Sequence, residues 1–429
     1  MKYSDRPILR PSEDLLGRRE FALTIAKAID NLAIARDGFV MSIVGPWGSG
    51  KTSVIELVCR YLRHIEMERE SQKTRTVGIA PEPRTIDELE AMASSYERVD
   101  ELVISPTQDG ADVSMWDASL QSERFERVLG TQSQVDDAIL YWKLLRRVRI
   151  FPRTTVIRFS PWLIAGSSEL SSALLSELAR ALGPRLGQDV ASALAALLRR
   201  LAELAPVASS LLELVPAGGP LAKITNATLD VSAKRATELA SEPSLDELRT
   251  ALRKAMLRLT DQRVMVVVDD LDRLTPKETL SMASLVKGLG DMPNTIYLLG
   301  YDVHQMEQNL RRAKVDGIKY LEKIVQYEVW VPPPPDGSIL DLFSNDLSTI
   351  FGPLTDLERN DLGWAWEFVL RRYLLTPRDV RLLANALAVP AAGLRSVTYL
   401  PDLVVVEAVR VFEPSLYAYI RSNLSNLAE

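Results

Sequence analysis

One stretch near the start of the chain restricts its fold more than any other. An apolar run, Val40–Val44, leads into a loop and then into Ser53–Val58, whose apolar residues have helical spacing. The loop follows the pattern G-x-x-x-x-G-K-T and consists of Gly45, Pro46, Trp47, Gly48, Ser49, Gly50, Lys51 and Thr52. A strand, a glycine-rich loop and a helix in this order are typical of a P-loop, where backbone N–H groups and a helix N-terminus surround phosphates.

The loop therefore predicts a nucleotide-binding site. We expect Lys51 to reach the β- and γ-phosphates and the hydroxyl of Thr52 to bind Mg²⁺. Every residue from Gly45 to Ser53 is a candidate for contact with the nucleotide. The alternative is a chance match to the pattern, and the flanking strand and helix argue against it.

Composition limits the class of protein. The 429 residues are 47% hydrophobic and 25% charged, as in globular proteins, and the net charge of −6 argues against a broadly basic nucleic-acid binder. One cysteine, Cys59, excludes a disulfide framework, and two histidines argue against a zinc site. The residues up to Arg10 lack the apolar segment of a signal peptide. We therefore expect a cytoplasmic protein.

One region, Val190–Ala222, is rich in alanine and leucine and could suggest a membrane span. It contains two arginines, two glutamates and three prolines, so no window reaches the roughly 18 uncharged apolar residues that a spanning helix needs. We expect amphipathic helices that pack on the body or on a partner, and no transmembrane anchoring. Peripheral membrane contact is the less favoured alternative.

A second informative stretch is Val264–Val268, a continuous apolar run of the kind found in parallel strands covered on both faces. It leads into the acidic pair Asp269 and Asp270, which is the Walker B arrangement. We assign Asp269 to the metal and Asp270 to the general base that takes a proton from the attacking water. An acidic turn after a core strand is the alternative.

Two further apolar runs predict core strands. These are Thr154–Phe159 and Thr295–Gly300. We expect the second to lie between the P-loop strand and the Walker B strand. Asp302, just after it, is either a sensor of the γ-phosphate or the N-cap of the next helix.

Lys51 and Asp269 lie too far apart in sequence for a short strand–helix connection, so the core must be interrupted. The tract Pro332–Pro335 cannot continue a sheet and marks a domain boundary. We predict an α/β protein with an αβα parallel sheet, two insertions and a C-terminal helical lid. The predicted division is an N-terminal helix and P-loop start of the core (1–68), an inserted surface subdomain (69–134), continued core (135–182), an Ala/Leu-rich helical insertion (183–243), core with Walker B and the sensor strand (244–331), and the lid (332–429).

The lid contains a candidate sensor of the nucleotide. Thr376, Pro377 and Arg378 open a helix with proline in its first turn. An arginine at the start of such a helix is placed to contact a γ-phosphate and to couple nucleotide state to lid position. The alternative is a surface arginine paired with Asp379 or another neighbour.

Together these stretches resemble the KAP family of P-loop NTPases, in the STAND branch of the AAA-type class. The resemblance covers about Ser12 to Leu387. Its motifs are Asp14-Leu15-Leu16-Gly17-Arg18, the tryptophan inside the loop, Phe159-Ser160-Pro161-Trp162, Val266-Val267-Val268-Asp269-Asp270-Leu271-Asp272-Arg273, Tyr320–Gln326 and Thr376-Pro377-Arg378.

The resemblance implies that the nucleotide is ATP, that Lys51, Thr52, Asp269 and Asp270 have their usual roles, and that Arg378 is the lid sensor. Many members carry two transmembrane helices between the second strand and Walker B, whereas the insertion here is too charged to span a membrane. Bacterial members are often linked to phage exclusion and multi-gene defence systems, which implies partner proteins from the same operon.

Two functions compete. One is a switch in which ATP binding closes the lid, changes a surface for partner proteins, and is reset by hydrolysis. The other is a scaffold that holds ATP with negligible turnover, and the presence of both Asp269 and Asp270 favours the switch. The sequence also leaves open whether the protein forms a homo-oligomer in which an arginine of one copy acts on the site of another. The candidates for such a residue are Arg273, Arg311 and Arg312. A basic run could also contact nucleic acid locally, but a solvated helix face or a set of internal ion pairs is the favoured interpretation. The run comprises Lys143, Arg146, Arg147, Arg149, Arg153 and Arg158.

Overall fold

The structure is a computed structural model that describes residues 6–33, 36–76, 84–95, 132–150, 152–164, 170, 173–174, 176–178, 180–181, 245–259, 261–335, 337–394 and 397–424. Most of both predicted insertions, including 190–222, lies outside these residues. The chain forms two compact units. The first comprises Met1–Lys27, Gly45–Tyr61 and Trp330–Glu429, and the second comprises Ala28–Val44 and Leu62–Val329.

A five-stranded sheet forms the frame of the second unit. Its strands are β1 (Phe39–Val44), β2 (Thr154–Phe159), β3 (Arg263–Val268), β4 (Thr295–Tyr301) and β5 (Tyr327–Trp330). They lie in the order β2-β3-β4-β1-β5, so β4 separates β1 from β3 as the sequence predicted. The α/β fold with a parallel sheet is therefore confirmed.

The strands pair in a register that aligns their carboxyl ends. Val44 lies opposite Tyr301 in the parallel pair of β1 and β4, and Val268 lies opposite Leu299 in the parallel pair of β3 and β4. Consequently β1, β3 and β4 end at the same edge of the sheet. Every residue of β3 is buried, as expected of a strand covered on both faces.

The second unit also contains helices, several of which pack on the sheet. They are the end of α1 (Arg18–Asn31), the end of α2 (Lys51–Thr76), α3 (Ile86–Ser95), α4 (Gln132–Ile150), α5 (Leu245–Met256), α6 (Pro276–Leu289), α7 (Val303–Arg312) and α8 (Gly317–Leu321). The segment after β2 is only partly described, and its residues Leu170, Leu174 and Leu178 are buried in the core of the sheet. Among the described residues, no helix has both the length and the apolar character needed to cross a membrane.

Helix α2 continues well beyond Ser53–Val58, where the sequence predicted a helix, and ends at Thr76. Its polar end is held by charges from distant parts of the chain, since Arg69 pairs with Asp30 at 2.6 Å and Glu70 pairs with Arg147 at 2.9 Å. Those partners are invisible to local periodicity. The same end packs with α3 and α4 in a small apolar cluster.

A buried ionic network ties α1 to the amino ends of β2 and β3. Asp30 pairs with Arg263 at 2.9 Å and with Arg153 at 2.7 Å. Glu66 accepts the backbone N–H groups of Thr154 at 2.7 Å and Arg153 at 3.2 Å. Burial raises the pKa of Glu66, while these hydrogen bonds and Arg263 oppose the rise. Thus Arg147 and Arg153, which belong to the predicted basic run, form ion pairs with other residues of the described chain.

In the first unit, the residues after the proline tract are helical, as predicted. The helices are α9 (Ser338–Phe351), α10 (Asp356–Phe368), α11 (Pro377–Leu394), α12 (Leu400–Phe412) and α13 (Pro414–Ser422). Leucines, valines and Phe343 from α9, α11 and α12 form a continuous apolar core. Arg381 of α11 pairs with the buried Asp346 of α9 at 2.6 Å. This pair fixes one turn of α11 against α9.

Candidate nucleotide-binding site

The phosphate loop connects β1 to α2 and adopts a shape that its glycines permit. Val44 ends β1 and Lys51 begins α2. Gly48 has φ +80° and Gly50 has φ +90°, a region that L side chains rarely adopt. Alternation of this kind turns successive N–H groups toward one side and makes an anion-binding concavity. The two glycines therefore give this loop a backbone that is compatible with an anion-binding concavity.

Polar groups of the loop are buried and available for an anion. Lys51 is 8% exposed, and its Nζ donates to the carbonyl oxygens of Gly45 at 3.0 Å and Pro46 at 3.2 Å. The hydroxyl of Ser49 is buried without a hydrogen-bond partner in the described part of the chain. An orphaned donor beside a folded-back lysine fits a ligand rich in acceptor oxygens, such as a triphosphate.

The segment before α1 is joined to the phosphate loop. The carboxylate of Asp14 accepts the N–H groups of Leu16 and Arg19, and so caps the start of α1. Arg18 is buried and donates to the carbonyl oxygens of Pro332 and Ser49. Burial lowers the pKa of the Arg18 guanidinium, and Asp14 opposes this effect. The hydroxyl of Ser53 also accepts an N–H from this amino-terminal segment, that of Ile8.

Helix α11 contacts the phosphate loop through its first turn. The guanidinium carbon of Arg378 lies 5.2 Å from the centre of the Trp47 ring. A Cβ on Gly48 would lie 2.8 Å from the hydroxyl oxygen of Thr376 and 3.0 Å from Cβ of Arg378. Asp379, which the sequence offered as an alternative partner of Arg378, accepts the N–H of Thr376 at 2.8 Å. Within the first unit, Arg378 therefore lies beside the loop that it was predicted to sense.

The acidic pair belongs to the second unit and forms a strained turn after β3. The carboxylate of Asp269 accepts the N–H of Asp270 at 2.8 Å. Asp270 has φ 59° and ψ 35°, a left-handed conformation that is uncommon outside glycine. Its carboxylate pairs with Nε of Arg273 at 3.0 Å. The guanidinium of Arg273 lies 5.4 Å from the centre of the Trp162 ring, which follows β2.

Asp302 caps a helix, one of the two roles that the sequence left open. Its carboxylate accepts the N–H groups of His304 at 2.9 Å and Gln305 at 3.3 Å, at the start of α7. These hydrogen bonds explain why a polar residue follows β4, and the explanation requires no contact with a nucleotide.

The structure groups the candidate residues within each unit. The first unit holds the phosphate loop with Arg378, and the second holds Asp269 with Asp270. Sequence reasoning gave no specific role to Arg18 or Trp162, although both occur in the motifs that carried the resemblance. The positions of these motifs before the P-loop strand and after the second strand were the only signals available.

Comparison with known proteins identifies a family. A model described as the KAP family P-loop domain matches residues 18–394. The phage T7 exclusion protein of Escherichia coli (strain K12) is 29% identical over 174 residues, which is 38% of this chain and 23% of that protein. The chain therefore spans about a quarter of this relative's length. A Walker-type ATPase of Pyrococcus abyssi superposes with a TM-score of 0.37 and 11% identity, over 100% of this chain and 79% of that one.

Proposed function

The chain belongs to the KAP family of P-loop domains, and from this we propose that it is an ATP-driven conformational switch that acts on partner proteins. The observation that carries this proposal is the contact of Arg378 and Thr376 with Trp47 and Gly48. A helix that touches the phosphate loop can respond to what the loop holds. The switch would operate in the cytoplasm.

The binding role rests on the phosphate loop. Lys51 would exchange the carbonyl oxygens of Gly45 and Pro46 for phosphate oxygens, and the hydroxyl of Ser49 would gain an acceptor. In the first unit the hydroxyl of Thr52 would bind Mg²⁺, and in the second unit the carboxylate of Asp269 is the proposed Mg²⁺ ligand. The ion supplies charge neutralisation at the phosphates when bound. Mg²⁺ usually keeps several waters and is bound by one or two protein side chains together with phosphate oxygens.

The hydrolytic role falls to Asp270. Its carboxylate would accept the proton of the attacking water, as a general base does in this class of reaction. Phosphate release by the wild type and by Asp270→Asn tests this step. We expect the substitution to lower the rate at least tenfold while ATP still binds. Equal rates at background level would instead favour a scaffold that holds ATP with negligible turnover.

Arg378 would couple the nucleotide to the helices. A γ-phosphate carries more charge than the face of a tryptophan ring, so we expect it to compete with Trp47 for this guanidinium. Fluorescence provides the readout, because the ring of Trp47 loses its cation when the arginine leaves. The difference between wild type and Trp47→Phe, with and without Mg-ATP, isolates this tryptophan from the other six.

The proposed switch would act on partner proteins. Similarity to a phage exclusion protein suggests a role in anti-phage defence, with partners encoded in the same operon. Mass in solution, measured by light scattering with Mg-ATP, with Mg-ADP and without nucleotide, tests for assembly with those gene products or with a second copy. Lys51→Ala should abolish any nucleotide dependence, and Lys73→Ala, an exposed lysine on the same helix, should retain it. A mass unchanged in every state would overturn the switch.

A further inference from the structure

We propose that Arg273 is a positioning residue for Asp270 and that Trp162 holds Arg273 in place. The inference rests on the proposed hydrolytic function and adds two side chains to it. It derives from one juxtaposition in the second unit: Asp270, Arg273 and Trp162 form a continuous chain of contacts at the carboxyl ends of β2 and β3.

Asp270 has an unusual need for external support. Its left-handed backbone carries the chain from β3 into the single-turn helix Leu271–Arg273. The hydrogen bond from its N–H to Asp269 fixes the peptide but leaves the carboxylate to rotate about two side-chain torsions. A general base must be held close to its proton donor, and a misplacement of about 1 Å can lower a rate roughly 100-fold.

Arg273 supplies that support through Nε, which lies 3.0 Å from Oδ1 of Asp270. The N–H of Arg273 also donates to the carbonyl oxygen of Asp270 at 3.1 Å, so both ends of the pair belong to one turn. This backbone hydrogen bond holds Arg273 one turn from Asp270, within reach of the carboxylate. The bond from Nε to Oδ1 orients the carboxylate of Asp270 within the turn and so sets the direction in which the base acts.

Trp162 restrains the arginine in turn. An arginine that is 37% exposed would ordinarily sample several rotamers, and an exposed i,i+3 ion pair contributes little by itself. A guanidinium over an indole ring gains cation–π attraction, which is strongest for tryptophan. Trp162 lies in the short helix Pro161–Leu163 directly after β2, the neighbour of β3, so the sheet sets the position of the ring.

A series of substitutions tests the proposal through the split between turnover and binding. Arg273→Ala should lower kcat for phosphate release by roughly 10- to 100-fold and leave the affinity for ATP within about twofold. The kcat of Arg273→Lys should lie between those of the wild type and Arg273→Ala, since an ammonium can pair with a carboxylate but lacks the planar fork of a guanidinium. Trp162→Phe should retain most of the activity because a ring remains, whereas Trp162→Ala should approach Arg273→Ala.

The matched control is Arg359→Ala. Arg359 and Asp356 form a pair of the same i,i+3 spacing at 3.1 Å, exposed on α10. If Arg273 had only a structural role, Arg273→Ala would lower the amount of folded protein but leave kcat per folded molecule unchanged. Trp162→Phe and Trp162→Ala would then also have equal kcat values per folded molecule.

The outcomes separate this inference from the function on which it rests. If the wild type and Asp270→Asn both release phosphate only at background, the hydrolytic function fails and the positioning role fails with it. If the wild type is active and Asp270→Asn is not, but Arg273→Ala matches Arg359→Ala, only the positioning role is overturned. Equal kcat values for Trp162→Phe and Trp162→Ala would overturn the part assigned to the ring.

Discussion

The guanidinium of Arg378 rests on the face of Trp47, with 5.2 Å between its carbon and the ring centre. One residue comes from the first turn of α11 and the other from the middle of the phosphate loop. Arg381, three residues further along α11, has a different role, because it pairs with Asp346 of α9. Two arginines one turn apart thus have separable roles.

Substitution of Arg378 should therefore affect phosphate release, whereas substitution of Arg381 should affect stability. We expect Arg378→Ala to slow phosphate release about 100-fold with little change in stability, because an exposed cation–π contact contributes only about 0.5–1 kcal/mol. Arg381→Ala should lower the free energy of unfolding by about 3 kcal/mol, since it leaves Asp346 buried without a cation. Urea unfolding and phosphate release of both variants check this. Comparable destabilisation by the two would contradict a nucleotide role for Arg378.

Gly48→Ala should abolish nucleotide binding. The new methyl group would meet Thr376 at 2.8 Å, and φ of +80° is unfavourable for alanine. The loop could accept it only by moving away from α11. Gly363→Ala is the control, because this glycine lies within α10 with nothing within 4 Å of an added Cβ. That variant should gain about 0.5–1 kcal/mol from helix propensity and bind ATP normally, as isothermal titration would show.

Most of the core could be predicted from the sequence because its signals are local. The P-loop, the buried run before Asp269 and the helix that begins at Pro377 each occupy a few consecutive residues. Contacts between distant segments left no such signal. Trp162 meets Arg273 because β2 and β3 are neighbours in the sheet, and Trp47 meets Arg378 because α11 packs on the loop. Neither adjacency can be inferred from periodicity.

Asp30→Ala should be among the most destabilising substitutions in the second unit. It would leave Arg263 buried, with a side chain only 5% exposed, and would also remove a partner of Arg69 and Arg153. We expect a loss of about 3–5 kcal/mol in the free energy of unfolding. Asp37→Asn is the control, since Asp37 is 76% exposed in its pair with Arg253 and should change stability by less than about 1 kcal/mol. If chemical denaturation showed similar losses of unfolding free energy for Asp30→Ala and Asp37→Asn, the stabilising role of the buried network would be contradicted.

Glu66 should impose a pH dependence on stability. Burial raises its pKa above the ordinary value of 4.5, so the folded state holds this proton more tightly than the unfolded chain does. Its stabilising contribution is complete below pH 4.5 and is lost as the pH rises through the raised pKa. The free energy of unfolding of wild type minus that of Glu66→Gln should therefore fall across this range. Denaturation at a series of pH values measures it, and a constant difference would refute the prediction.

The strand order also has a consequence for synthesis on the ribosome. The two neighbours of β1 are β4 and β5, and Phe39 pairs with Ile296. At about 5–20 residues per second, β1 leaves the ribosome roughly 10 to 50 seconds before its first neighbour exists. The strand that supports the phosphate loop therefore joins the sheet only after the segment with Asp269 and Asp270 has been made. A chain that ends before Thr295 lacks both neighbours of β1, so in such a chain β1 has no strand with which to pair.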